Sequence, residues 1–316
     1  PPLERLVRPG RYFLWSVQRP VRALVQIPWI ASFSPFIWHS SYYTLPARSG
    51  GPVVTTVLDL LHERFAGLFN RRDDEWFRRQ KKRCVERSDA IICISETTRQ
   101  DVIHAYNIDE KRVHVVPLAP GSTFLWPEPR ESSETLVGKP YLMYVGGRSH
   151  YKNFGVLLKA YSKWTKRQDV DLAIVGNPLN QTETHEFARL GLLSNVRVLS
   201  GITDSRLREL YSRSVGFVYT SWYEGFGLPV LEAMASGCRV IASQIPSTVE
   251  IAGDVPVYFD PADVESLITA LDLAWLEYSS TDVHRVDHGI SQAAGYSWDF
   301  TAQQTLQVYK NLLAAL

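Results

Sequence analysis

What most constrains this chain is an alternation in its second half. Five short runs rich in β-branched and other apolar residues are Tyr141–Val145, Val170–Val175, Val196–Leu199, Val215–Thr220 and Arg239–Ser243. Between them lie Asn153–Arg167, Leu179–Leu190, Thr203–Ser212 and Gly227–Ser236, whose apolar residues recur at helical spacing; Leu157, Leu158, Tyr161 and Trp164 form one such stripe. Strands that are apolar throughout suit a parallel sheet covered on both faces by helices. The first half repeats the rhythm less completely. Its strands are expected over Pro35–His39, Val53–Leu58, Ala90–Ser95 and Val113–Pro117, and its helices over Asp73–Arg87 and Glu96–Tyr106, the second capped by Ser95.

The chain of 316 residues has room for about two domains of ordinary size. The expectation is an α/β protein of two Rossmann-like parallel-sheet domains facing a cleft: 1–126, a polar, proline-bearing linker over 127–139, a second domain over 140–296, and a terminal helix over 297–316. With 45% hydrophobic and 21% charged residues, a disordered tail, a fibre and a disulfide-stapled miniprotein are excluded. A net charge of +1 does not suggest a nucleic-acid partner, although residues 1–140 carry 20 basic and 15 acidic side chains (+5) and the remainder 14 and 18 (−4). Cys84, Cys93 and Cys238 show neither paired nor C-x-x-C spacing, which fits a reducing, cytoplasmic setting. The uncharged stretch between Arg22 and Arg48 is broken by Pro28, Pro35 and Pro46 and reads as buried strands and loops rather than a spanning helix.

In open parallel sheets, ligands bind beyond the carboxyl ends of the strands. The first strand of the second domain ends in Gly146-Gly147-Arg148-Ser149-His150-Tyr151-Lys152. The two glycines allow a tight turn and close approach of a ligand. Arg148 brings a planar donor fork and Lys152 a compact charge, a pair suited to a diphosphate. After Val215–Thr220 comes Tyr223-Glu224-Gly225-Phe226-Gly227-Leu228, which opens a helix holding Glu232. The helix start favours an anion, and two carboxylates about two turns apart suit the hydroxyls at the two ends of a sugar–diphosphate–ribose.

At these residues the sequence resembles glycosyltransferase family 4, whose fold is GT-B. Glu224 and Glu232 with Gly225-Phe226-Gly227-Leu228 resemble the family's donor-site signature, Val145–Asn153 its diphosphate loop, and the segment ending in Ile202 its base-contacting segment. The resemblance implies a retaining, metal-independent transferase without a cofactor, its substrate a GDP- or UDP-hexose. Mannose is the first candidate sugar, and a glycan or lipid-linked glycan in envelope polysaccharide or lipopolysaccharide synthesis the acceptor. It implies that Glu224 contacts the transferred sugar, Glu232 the ribose, and Arg148 and Lys152 the diphosphate. Gly146, Gly147, Ile202, Gly225, Phe226, Gly227 and Leu228 complete the donor site, and residues 1–126 form the acceptor side. Many relatives carry His-Asp where this chain has Leu58-Asp59. Asp59 is then the expected catalytic group of the first domain, with His62 a weaker alternative.

Asp169-Val170-Asp171 precedes its strand and reads as an exposed approach to it, not a metal site. Arg71–Arg83 reads as a solvated basic helix face or as one lying peripherally on the anionic inner face of the plasma membrane. Leu58 and the short first half also motivate an alternative, a non-catalytic nucleotide-sugar-binding or partner subunit. A family member's first domain begins with further βα units before the segment like Phe36–His39, so the first domain is expected to be truncated at its start.

Overall fold

The computed structural model describes residues 36–46, 50–68, 71–125, 138–148, 150–280 and 283–315. The readings made of Pro28–Phe33 and Pro127–Glu134 lie outside them. The first sheet is parallel, in the order β1 (Trp38–Ser40), β2 (Val53–Val57), β3 (Ala90–Cys93) and β4 (Val113–Val115). Around it lie α1 (Leu61–Arg64), α2 (Arg71–Arg87) and α3 (Glu96–Tyr106). The second half alternates β5 (Tyr141–Val145), α4 (Phe154–Lys163), β6 (Asp171–Val175), α5 (Gln181–Arg189), β7 (Val196–Leu199), α6 (Asp204–Arg213), β8 (Gly216–Tyr219), α7 (Leu228–Ala235), β9 (Val240–Ser243), α8 (Pro246–Ala252) and β10 (Val257–Phe259). Helices α9 (Val264–Ser279), α10 (His284–Ala294) and α11 (Trp298–Ala314) follow. The second sheet has the order β10-β9-β8-β5-β6-β7, and its described pairings are all parallel. Two parallel-sheet α/β layers of this kind are the architecture that the alternation predicted.

Local chemistry accounts for the element ends. The Ser95 hydroxyl accepts the Thr98 N–H at 2.9 Å and starts α3, and Asn107 stops it in the left-handed region at φ 51°. Asn180 and Glu183 form a reciprocal capping box on α5. The predicted stripe of α4 is core: Leu157, Leu158, Tyr161 and Trp164 are buried, and the Trp164 indole N–H donates to Asp272 Oδ1 on α9 at 2.8 Å. Helix α11 crosses back to the first sheet. Its Val308 is buried with Val54, Ala90, Ile92 and Val116, the Thr301 hydroxyl donates to Pro117 O at 2.7 Å, and Tyr309 hydrogen-bonds His39 Nδ1.

Two readings are corrected. Asp171 is buried, not exposed, and faces Arg197 at 3.7 Å. Helix α2 is not a uniformly solvated basic face: Lys81 and Asp74 point inward and are buried, while Arg79–Glu75 and Lys82–Glu86 form the exposed pairs. Trp164→Ala removes a buried ring and its hydrogen bond. It is expected to cost about 3–5 kcal/mol, measured by denaturant unfolding.

Candidate active site

The strand order of the second sheet reverses between β5 and β8: β6 and β7 lie to one side, β9 and β10 to the other. That switch point opens a crevice at the carboxyl ends of β5 and β8, where both glycine-bearing segments lie. They are tied together, since the Thr220 hydroxyl donates to Lys152 O at 2.6 Å and the Trp222 N–H to Tyr151 O at 2.8 Å. Gly146 has φ 122°, and a Cβ added at Gly146 or Gly147 would meet nothing within 4 Å. The turn demands glycine at 146, and the space above the loop is open.

The structure brings Lys152 and Glu224 together. Lys152 Nζ donates to Glu224 Oε1 at 2.6 Å, and the Ser221 hydroxyl donates to the same oxygen at 2.6 Å. The ammonium also lies 5.2 Å from the centre of the Tyr151 ring. Glu232 sits two turns along α7. Burial, with a smaller push from Asp204, raises its carboxyl to about 7. Ile202 and Leu228 are partly buried and pack against the apolar core that takes in Val230, Leu231 and Met234 of α7.

Arg148 does not present a free fork. Its Nε donates to Glu183 Oε1 at 2.6 Å and its Nη2 to Glu183 Oε2 at 3.0 Å, and the carbonyls of Asn177 and Pro178 take further N–H groups at 2.9 and 3.0 Å. The guanidinium holds Glu183 below the usual carboxylate range. Its geometry is that of a brace between the loops after β5 and β6. Nothing local in the sequence pointed to Glu183 as its partner. The Phe226 ring is likewise buried, edge-on to Tyr296, so only its backbone can face a ligand.

Gly225 has a role that spacing alone did not reveal. A Cβ there would stand 1.8 Å from the carbonyl oxygen of Leu58, in the other domain. Its own carbonyl accepts the hydroxyls of Ser95 at 2.5 Å and Thr98 at 3.0 Å. Glu250 makes a further crossing: its carboxylate accepts the backbone N–H groups of Glu96 at 2.6 Å and Thr97 at 2.9 Å.

On the first domain's side, Asp59 Oδ1 accepts the Leu61 N–H at 3.0 Å. Lys81 Nζ donates to Asp59 O and to Glu63 Oε2, each at 2.8 Å, and the Tyr106 hydroxyl donates to Glu63 Oε1 at 2.6 Å. Leu58 is partly exposed beside Asp59. His62 is bound to Asp74 Oδ1 at 2.8 Å and stacked on Phe77. Among the described residues no group of three or more His, Cys, Asp or Glu side chains could hold a metal ion.

Residues 127–283 match the family described as Glycosyl transferases group 1, and residues 1–119 match Glycosyltransferase Family 4. O-antigen chain mannosyltransferase B of Escherichia coli is 27% identical over 292 residues, covering 90% of this chain and 76% of that protein. The MMP alpha-(1->4)-mannosyltransferase of Mycolicibacterium hassiacum is 29% identical over 245 residues, covering 75% of this chain and 58% of that protein. Among solved structures, sucrose-phosphate synthase from Thermosynechococcus elongatus superposes with a TM-score of 0.72 at 19% identity, covering 94% of this chain and 78% of that one.

Two outcomes follow from the geometry. Gly225→Ala must push Leu58 away by about 1 Å, a misplacement that costs about 10²-fold in turnover. Glu232 binds more protons folded than unfolded between its ordinary 4.5 and about 7, so its contribution to stability is present below pH 4.5 and lost as the pH rises through 7. Glu232→Gln is therefore expected to be more stable than the native protein at pH 8, by on the order of 2 kcal/mol. That advantage disappears below pH 4.5 in thermal melts.

Proposed function

The chain belongs to the group 1 glycosyltransferases of family 4, and we propose that it moves mannose from a nucleotide diphosphate sugar to a glycan or lipid-linked glycan, retaining anomeric configuration and using no metal. The observation that carries this reading is the Lys152–Glu224 pair at the switch point of the second sheet, beside the open glycine loop. The names of the two curated relatives support mannose, and that of the first supports an envelope glycan. Membership of an enzyme family sets aside the non-catalytic reading that Leu58 motivated.

The chemistry is that of charge moving onto a leaving diphosphate. A cation already in place there stabilises the transition state without reorganising solvent. Lys152 is that cation: when the donor enters, its ammonium is shared between Glu224 and the diphosphate. The Gly147 N–H reaches a phosphate oxygen, while Gly146, whose own N–H is bound to Val175 O at 2.9 Å, turns the loop beneath it. Glu224, no longer fully committed to Lys152, accepts hydroxyls of the transferred sugar. Glu232 accepts the ribose hydroxyls, and Ile202 lies against the base. Arg148 keeps the glycine loop in shape through Glu183. Asp59, on the acceptor side, lies across from Gly225. Among the described residues no helix is long and apolar enough to cross a membrane. Exposed Arg79, Lys82 and Arg83 on α2 support peripheral contact with an anionic surface, and a cytoplasmic setting goes with that proposal.

A panel of GDP- and UDP-hexoses tests the donor; GDP-mannose is expected to turn over fastest. Lys152→Ala and Glu224→Ala are each expected to lower kcat by at least about 10²-fold, and undiminished turnover of Glu224→Ala would falsify the site. EDTA is expected to leave the rate unchanged, and abolition by it contradicts the metal-free reading. The product anomer, read by NMR, should match the donor's. Donor affinity should weaken as the pH falls below about 7, because protonated Glu232 loses acceptor capacity for the ribose hydroxyls.

A further inference from the structure

Tyr223, the residue before Glu224, does not belong to the donor pocket. Its side chain crosses the cleft into the first domain, where it is buried. Its hydroxyl accepts the Leu60 N–H at 3.0 Å and donates to Asp101 Oδ2 on α3 at 2.8 Å. Arg64 lies with its guanidinium carbon 4.8 Å from the centre of the ring and donates to the other oxygen of Asp101 at 2.5 Å. The phenol, the carboxylate and the guanidinium therefore form one closed unit, two of whose three members come from the first domain. Burial, and after it Asp101, pushes the phenol further up from its ordinary value, so it remains a hydroxyl and a donor.

Glu224 sits between two such anchors. On one side Tyr223 is held by Leu60, Asp101 and Arg64. On the other, Gly225 is held by Ser95, Thr98 and the close carbonyl of Leu58. The two residues that flank Glu224 thus take their position from the opposite domain, while its carboxylate is met by Lys152 and Ser221 of its own. A carboxylate in such a segment stays in productive geometry only while both anchors hold, and small displacements at a reacting centre are costly.

We propose that Asp101 and Arg64 are positioning residues for the transfer: through Tyr223 they latch the first domain onto the donor motif and place Glu224 against the sugar. The proposal rests on the reading of Glu224 as the sugar-contacting carboxylate. It adds two residues outside the donor motif, on helices of the acceptor-side domain, and makes donor-site geometry a property of the closed pair of domains.

The test uses the full chain with GDP-mannose as donor and octyl α-mannoside as acceptor, and the variants Tyr223→Phe, Asp101→Ala and the double variant. Tyr223→Phe keeps the ring and its packing but loses both hydrogen bonds of the hydroxyl. Hydrogen exchange of the Leu60 amide is expected to speed at least about tenfold in Tyr223→Phe, while Val57 on β2 keeps its protection; unchanged Leu60 exchange overturns the latch. Each single variant should lower kcat by about tenfold or more. Donor KM, and the Kd for GDP by calorimetry, should stay within about twofold. The double variant should be no slower than the slower single one. Multiplying losses, a kcat close to native, or a GDP affinity that falls in step with kcat would each overturn the positioning role. If Tyr223→Phe does not fold, Asp101→Ala decides by the same split. A native enzyme inert with GDP-mannose would instead count against the proposed donor, and Leu60 exchange still judges the latch. Full activity in Glu224→Ala would remove the site reading itself, whereas loss there with full activity in Tyr223→Phe removes only the latch.

Discussion

The two halves of this molecule meet through a gap too narrow for a methyl group. Gly225 lies so close to the Leu58 carbonyl that any side chain would collide with it, and the rest of the site depends on that approach. It lets the Gly225 carbonyl reach Ser95 and Thr98, lets Tyr223 reach Leu60 and Asp101, and brings Asp59 opposite the donor motif. Glycine at 225 is thus explained within the folded protein. Gly147 is not, since nothing in the protein crowds it; the proposed donor diphosphate would use that open space.

Much of this was legible in the sequence, for identifiable reasons. Near-continuous apolar strands made the second sheet readable, with β5 and β7 at their predicted limits and β6, β8 and β9 shorter by one or two residues. Ser95 was readable as a cap because side-chain capping is a local event. Lys152 and Glu224 could be nominated because each follows a strand whose carboxyl end faces the crevice. What stayed hidden is long-range. No spacing links Arg148 to Glu183 or Tyr223 to Asp101, and α8, α9, α10 and β10 lie where the alternation is weakest or the strand is three residues long. Lys81 shows the same limit: composition placed it on a basic face, yet its ammonium is satisfied inside by Glu63 and the Asp59 carbonyl. A buried cation is tolerable only with such partners.

That buried cluster gives the first domain a second function besides carrying a sheet. Lys81 holds the backbone at Asp59, and Glu63 ties Lys81 to Tyr106 at the end of α3. The segment that meets Gly225 is thereby fastened from behind to two helices. A loop facing a cleft is ordinarily among the more mobile parts of a protein; here the Asp59 carbonyl is committed to the buried Lys81 and its carboxylate to the Leu61 N–H.

Glu250 carries a different consequence. It caps α3 from the opposite domain, taking the first two N–H groups of that helix. A helix end left without acceptors keeps a partial positive charge. Parting the two halves at this point would therefore separate opposite charges. That contact between the two halves weakens as ionic strength rises, although neither Glu250 nor the start of α3 lies in the segment Tyr223–Leu228.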